Sequence, residues 1–471
     1  MTSSTGSSGQ NPYEYEKPRG AAGGALPGSN LAPPVGPNYK WAVVGMLWFI
    51  CFFNYADRLA ISSALPILEE DYGFNKEQLG LISSAFMWIY ALTAPLAGQV
   101  GDRYSRKVLI LGGLAVWSVI TGLTAFCTKV WHFVVVRGSE GLGETFYFPA
   151  SMSLVSDYHS KRTRSTAMSI HQTSVYAGTI AGGIGTAVLI DRQGLGLPWQ
   201  TPFWAFGIAG LLLAIVLWFF VREPSRNEAE RQELLEQGLS PDQVSQPPKH
   251  VPLLQFLPDL ARTPTVLLMM VAFIAANIAS GMLLSWTTTF VFEKFGTQLS
   301  KLGPSLFMSS VAMVLIQVGS VGGSVLGGVV ADRVRHRFIA GRILVQAVGM
   351  LIGGPFLSAV GLSNELAIVA VALLLLGMFK GIYDSNIWAS LYDVVEPARR
   401  GTAVGLMNMV GWLGAAGGTY LVGMVVNKGT PMSTAFAMVG GVYVFGALTL
   451  FAAAFFFAPR DIRRLASKVA G

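Results

Sequence analysis

The chain has 471 residues, 52% hydrophobic and only 13% charged, with a mean hydropathy of +0.51. A soluble globular chain carries about 25% charged residues, so this composition excludes a soluble domain and implies a polytopic membrane protein. Its two cysteines, Cys51 and Cys127, both lie in apolar runs, which excludes a disulfide framework and a thiolate metal site.

Residues 1–40 are rich in Ser, Gly and Pro and lack periodicity, so a disordered tail is expected. No short apolar run with a small-residue cleavage site precedes the first span, so the start does not read as a signal peptide. Apolar runs of about 20 residues, enough to cross the hydrocarbon core, then predict twelve spans. They fall near 41–63, 77–100, 107–127, 131–156, 165–190, 201–221, 264–291, 304–331, 339–360, 365–392, 400–426 and 432–457. A polar connector at 222–263 separates two sets of six. The expectation is an all-α membrane protein with twelve transmembrane helices in two pseudo-symmetric six-helix bundles, 41–221 and 264–458. Residues 459–471 (PRDIRRLASKVAG from Pro459) read as a short interfacial helix with its basic residues at the lipid head groups.

The net charge of +7 needs no nucleic acid to explain it. With both termini inside, about 24 of the 33 Lys and Arg residues fall on that side. Only Lys76, Lys129, Arg192, Lys294, Lys301 and Lys428 fall outside. The halves also repeat. GQVGDRYSRK from Gly98 matches GVVADRVRHR from Gly328, which aligns Asp102, Arg103 and Lys107 with Asp332, Arg333 and Arg337. DYHSKRTRSTA from Asp157 matches DVVEPARRGTA from Asp393, 236 positions on. Matched loops in two halves are a transporter signature.

With these residues in place, the sequence resembles the major facilitator superfamily over nearly all positions after 40. The G-x-x-x-D-R-x-x-R-K loop of that family is met by Gly98, Asp102, Arg103, Arg106 and Lys107. The resemblance implies two bundles rocking about a central site. It also implies a cytoplasmic gate formed by those residues with Asp332, Arg333 and Arg337. Two subfamilies share the motifs seen here. RGSEGLGETFYFPA and NYADR resemble the anion:cation symporters of sugar acids and other organic anions. GDRYSRKVLILGGLAVWS, with NYADR and GLGE, resembles the Spinster-like carriers of lysolipids and sphingolipids. SVYAGTIAGG in the fifth span lacks the Gly-Pro of drug–proton antiporters.

Charges within the spans point to the site. Asp57 and Arg58 are adjacent, so on a helix they diverge by about 100° and need separate partners. Arg137, Glu140 and Glu144 form one stripe on the fourth span. Asp57 and Glu144 each lie roughly 20 Å from the inner end of their helices, which allows one shared cavity. Burial favours a neutral carboxyl and a neighbouring guanidinium favours a charged one, so Asp57 and Glu144 are the expected proton carriers. The resemblance to the symporters implies the same two acids. Arg58 or Arg137 would meet an anionic group of the substrate, and Glu140 would neutralise Arg137; the bland alternative is a fixed salt bridge. The offset of 236 matches Glu144 with Lys380 and Tyr147 with Tyr383. Lys380 then reads either as an anion ligand across the cavity or as the partner of Asp384 on its own helix.

Further pocket candidates are Tyr55, Tyr90, His171, Gln172, Tyr383, Ser385, Trp388 and Asn408. Tyr and Trp more often pack than bind, and His171 reads first as a satisfied helix residue. The Gly-rich runs GGIG and VGGSVLGG read as close helix packing. The sequence holds no P-loop, metal cluster or membrane-depth Ser-His pair, so no enzyme and no cofactor is expected. The preferred reading is a secondary transporter moving a small organic anion, with protons, as a monomer in the cell membrane with both termini cytoplasmic. A Spinster-like lipid carrier and a non-transporting sensor are the alternatives.

Overall fold

A computed structural model describes residues 38–224, 228–229, 232–233, 262–396 and 399–470. Most of the expected tail and connector therefore lies outside the described residues. In the N-terminal half the helices are α1 (Tyr39–Tyr72), α2 (Lys76–Arg103), α3 (Arg106–Thr124), α4 (Val130–Glu144), α5 (Tyr147–Tyr158), α6 (Lys161–Ile190) and α7 (Thr201–Phe220). The C-terminal half holds α8 (Pro264–Leu299), α9 (Ser305–Arg337), α10 (Gly341–Leu362), α11 (Leu366–Asp384), α12 (Ile387–Val394), α13 (Arg400–Asn427), α14 (Met432–Ala452) and α15 (Ala458–Ala470). A π-helical turn, Ala453–Phe457, joins the last two.

Local chemistry sets these boundaries. Gly73, at φ 66°, ends α1 in the left-handed region that favours glycine. Asn75 then caps α2: its side chain accepts from the Gln78 N–H at 2.9 Å, and its own N–H donates to Gln78 Oε1 at 3.0 Å. The helices are apolar enough to leave large side chains such as Phe219 and Phe456 more than three-quarters exposed, as a lipid-facing surface requires.

Eleven stretches among the described residues are long and apolar enough to span a membrane. The expected fourth span is not one of them. It is broken after Glu144 into α4, of 15 residues, and α5, of 12, each shorter than a span needs. The expected tenth span breaks in the same way after Asp384. These breaks give a register. Gly141 and Gly381 each press on the backbone of an earlier helix, at Phe86 and Ser320 respectively, where a Cβ would collide. Both the glycines and the helix ends lie 240 positions apart. The offset of 236 holds only beyond the breaks, because α5 has 12 residues and α12 has eight. The equivalences are therefore Glu140 with Lys380 and Glu144 with Asp384, which corrects the pairing of Glu144 with Lys380 and of Tyr147 with Tyr383.

The halves touch at the end remote from the start of α1, here the far end. There Lys76 bonds to Glu293, and Glu77 accepts from Tyr420 at 2.9 Å and from Asn427 at 3.2 Å. Asp191 Oδ2 accepts the N–H groups of Leu306 and Phe307 at 2.7 and 3.0 Å, capping α9 from the other half. At the near end each half ties its own helices together. Arg106 binds Asp157 and, at 2.9 Å, Glu223. Arg342 binds Asp393 at 3.1 Å and Asp332 at 3.3 Å. The Thr265 N–H and hydroxyl donate to Asp461, at 3.3 and 2.6 Å, which ties α15 to the start of α8.

Candidate functional site

Between the halves lies a cavity of about 260 Å³. Tyr55, Arg58, Arg137, Gln172 and Tyr176 line it from the N-terminal half, and Lys380, Asp384 and Trp412 from the C-terminal half. Arg58 projects from mid-α1, and its Nε donates to Glu144 Oε2 at the end of α4. Four aromatic rings surround its guanidinium: Tyr55, Phe86, Tyr90 and Trp412, at 4.7, 4.8, 5.2 and 5.7 Å from their centroids. Each such contact adds on the order of 0.5–2 kcal/mol once desolvated. Arg137 Nη1 donates to Glu140 one turn along α4.

Asp57, beside Arg58 in sequence, points elsewhere. Its Oδ2 lies 3.4 Å from the Thr121 hydroxyl of α3, and its Oδ1 is buried with no hydrogen-bond partner. Oxygens of Asp57, Glu140 and Glu144 come within 4.8 Å of one another, and all three residues are buried. The charge count is therefore three carboxylates against two guanidiniums. Glu144 and Glu140 each have an arginine; Asp57 makes no ion pair among the described residues. The arginines line the cavity and the acids stand behind them.

Lys380 bonds to Asp384 one turn along α11, and the pair is partly open to the cavity. Both expected roles of Lys380 thus have a geometric basis. The other candidates divide. Tyr55 and Gln172 face the cavity, and Tyr90 packs at a tilt against Trp412, with ring centroids 4.8 Å apart. His171 is fully buried, its Nε2 2.9 Å from the Tyr147 hydroxyl, outside the cavity lining. Tyr383 packs beside Tyr443 and Trp388 beside Phe273. Ser385 donates to the Ile382 carbonyl, and Asn408 is half-buried away from the lining. These five are positioned as packing or helix residues.

Of the gate candidates, Gly98, Asp102 and Arg103 lie in α2, and nothing of the last two side chains falls within the described residues. Arg106 is buried in its ion pairs, whereas Lys107 lies over the Trp218 ring at 5.3 Å. Asp332, Arg333 and Arg337 are exposed.

The family description Major Facilitator Superfamily matches residues 47–419, and a second match covers 299–470. The chain belongs to the Major Facilitator Superfamily. It has that family's non-catalytic transport fold, a multi-pass membrane fold that moves a small molecule by secondary, alternating-access transport. Protein spinster homolog 1 of Homo sapiens is 28% identical over 410 residues, covering 83% of this chain and 74% of that protein. The hexuronate transporter of Bacillus subtilis (strain 168) is 26% identical over 438 residues, covering 92% of this chain and 97% of that one. A solved structure of a bacterial homolog to the human lysosomal transporter Spinster, inward-facing and unoccupied, superposes with TM-score 0.71. It is 20% identical and covers 91% of this chain and 98% of that chain.

Within this superfamily fold, several lining residues escape a reading by charge or motif. Phe86 and Trp412 are among them, as is Thr121 behind the lining, because an isolated hydroxyl or ring in an apolar span carries no periodic signal. Asp384 was legible only as a partner for Lys380.

Proposed function

We propose that the protein is a proton-coupled carrier of a small amphiphile with an anionic head group, of the lysolipid kind. It works as a monomer of two six-helix bundles, 41–221 and 264–458, joined by the connector at 222–263. The near end, where most Lys and Arg residues gather, faces the cytoplasm of a cell-membrane protein. The observation that carries this reading is the shared guanidinium: Arg58 faces the cavity and bonds to a buried Glu144 behind it.

An anionic head group reaching Arg58 competes with Glu144 for the same fork. A carboxylate left buried without its cation is costly, by about 3–5 kcal/mol when a buried pair is broken, and a proton relieves that cost. Anion and proton therefore enter together, with Asp57 as the second carrier. Lys380 stands across the cavity as a further cation for the head group.

The cargo class follows from the walls. Leu283, Leu284, Met313 and Ile316 of the C-terminal half border the cavity. An alkyl stem meets these side chains, whereas a sugar acid has a hydroxyl on nearly every carbon and leaves them unmatched. The Spinster relatives support the same choice. A second reading, a sugar acid such as a hexuronate, draws on the Bacillus relative, which aligns over nearly its whole length.

The test uses purified protein in lipid vesicles. Lysophosphatidylglycerol should raise the melting temperature and enter against its gradient when the outside is acidic, whereas glucuronate should do neither. Stabilisation by glucuronate alone would turn the assignment to the second reading. Uptake by Glu144→Gln that still follows a pH gradient would remove proton coupling from this residue.

A further inference from the structure

Thr121 stands where three acceptors meet. Its hydroxyl oxygen lies 2.9 Å from the Trp117 carbonyl one turn back in α3, 3.4 Å from Asp57 Oδ2 and 3.3 Å from Glu140 Oε1. A hydroxyl has one hydrogen and two lone pairs. The shortest contact takes the hydrogen, so both carboxylate oxygens face lone pairs. That arrangement is repulsive unless a carboxyl brings a hydrogen of its own. Glu140 is held by Arg137 and Glu144 by Arg58, which leaves Asp57 as the group without a counter-charge. The site is sealed from solvent: Thr121 is 1% and Asp57 3% exposed. The charged groups around Asp57 are Arg58 on its own helix and Arg137, Glu140 and Glu144 on α4.

We infer that Thr121 is a positioning residue for the coupling proton. When Asp57 is protonated, its O–H donates to the Thr121 oxygen while Thr121 donates to Trp117. When the transporter changes state and the proton passes to a water molecule, breaking only that O–H bond with both electrons staying on the carboxylate, the hydroxyl rotates and donates to Asp57 instead. One rotation about a C–O bond thus gives a buried carboxyl a partner in both states, with no heavy atom moved. The inference rests on the proton-coupled reading and adds to it a residue of the third span that neither charge nor motif marks.

The test needs no substrate. Full-length protein in lipid films is titrated between pH 4 and pH 9 and followed by infrared difference spectroscopy in the protonated-carboxyl region. A band absent in Asp57→Asn is that of Asp57. In Thr121→Val, close in shape but without the hydroxyl, the band should move to higher wavenumber. Its midpoint should shift by about tenfold in proton concentration. Thr121→Ser should restore both. In vesicles, the same shift should appear in the pH profile of lysophosphatidylglycerol uptake, with KM at saturating acid unchanged. Thr121→Val in the Asp57→Asn background should add nothing further, which separates the effect from misfolding. An unmoved Asp57 band in Thr121→Val, or a Thr121→Ser protein that behaves like Thr121→Val, overturns the inference alone. If the wild type has no Asp57 band in this range, the proton assignment of Asp57 fails and takes the inference with it.

Discussion

At the near end the two halves of the chain do the same thing. Arg106 binds Asp157 in one half and Arg342 binds Asp393 in the other, each pair tying the start of one helix to the end of another. At mid-depth they part. The N-terminal half buries Asp57, Arg137, Glu140 and Glu144 behind a half-buried Arg58, while at the positions of Glu140 and Glu144 the C-terminal half has Lys380 and Asp384, partly open to the cavity. The anchors are common because each half must hold its own loops together. The membrane-depth charges differ because, in the proposed mechanism, one half handles the ion and the other closes on the cargo.

The largest break in this asymmetry is Arg58→Ala. It strands Glu144 without a cation and removes the centre of the aromatic ring cluster. Uptake should fall at least about 100-fold, with about 3–5 kcal/mol lost from unfolding stability, as measured by vesicle uptake and thermal melting. Arg58→Lys should recover little, since an ammonium lacks the fork. Lys380→Ala should come next, with a roughly tenfold loss of substrate affinity, or about 1.4 kcal/mol, and a retained pH response. Affinity losses confined to Asp384→Ala would leave Lys380 as a helix pair only. Asp191→Ala removes the cap that one half places on α9 of the other, worth about 1 kcal/mol. A cysteine introduced at Ser62 should then react faster with a membrane-impermeant thiol reagent added from the far side.

The smallest effect concerns Glu223, the second carboxylate of the N-terminal anchor. Burial pushes its carboxyl up, but bonds from the Lys107 N–H, Arg106 and Ser105 outweigh that and hold it below the usual carboxylate range. A group lowered on folding contributes stability above its unfolded value, near 4.5, and loses it as pH falls through the lower folded value. The melting temperature of Glu223→Gln should therefore lie below that of the wild type at pH 6 and converge with it below pH 4.

The apolar runs made the spans legible because a bilayer demands about 20 such residues whatever packs around them. The charged site was legible for the converse reason: Asp57, Arg58 and Glu144 are costly at membrane depth and stand out. Helix geometry also foretold that Asp57 and Arg58 would take separate partners. The helix breaks after Glu144 and Asp384 were not legible, and with them the register between the halves, since a four-residue difference in α5 and α12 leaves the motifs on either side intact. His171 and Tyr383 stood among the pocket candidates as polar groups in a span, with helix satisfaction and packing as their first readings, and each is satisfied or packed within its own half.

The most direct measurement records substrate and proton movement together in vesicles holding wild-type protein, Asp57→Asn, or the double variant Lys380→Ala/Asp384→Ala. The proposed division of labour predicts that Asp57→Asn moves fewer protons with each substrate than the wild type and accumulates less of it under a pH gradient. The double variant should still move protons with each substrate it carries, at reduced affinity. Accumulation by Asp57→Asn to the wild-type level, or loss of proton movement only in the double variant, would contradict the assignment of ion coupling to the N-terminal half.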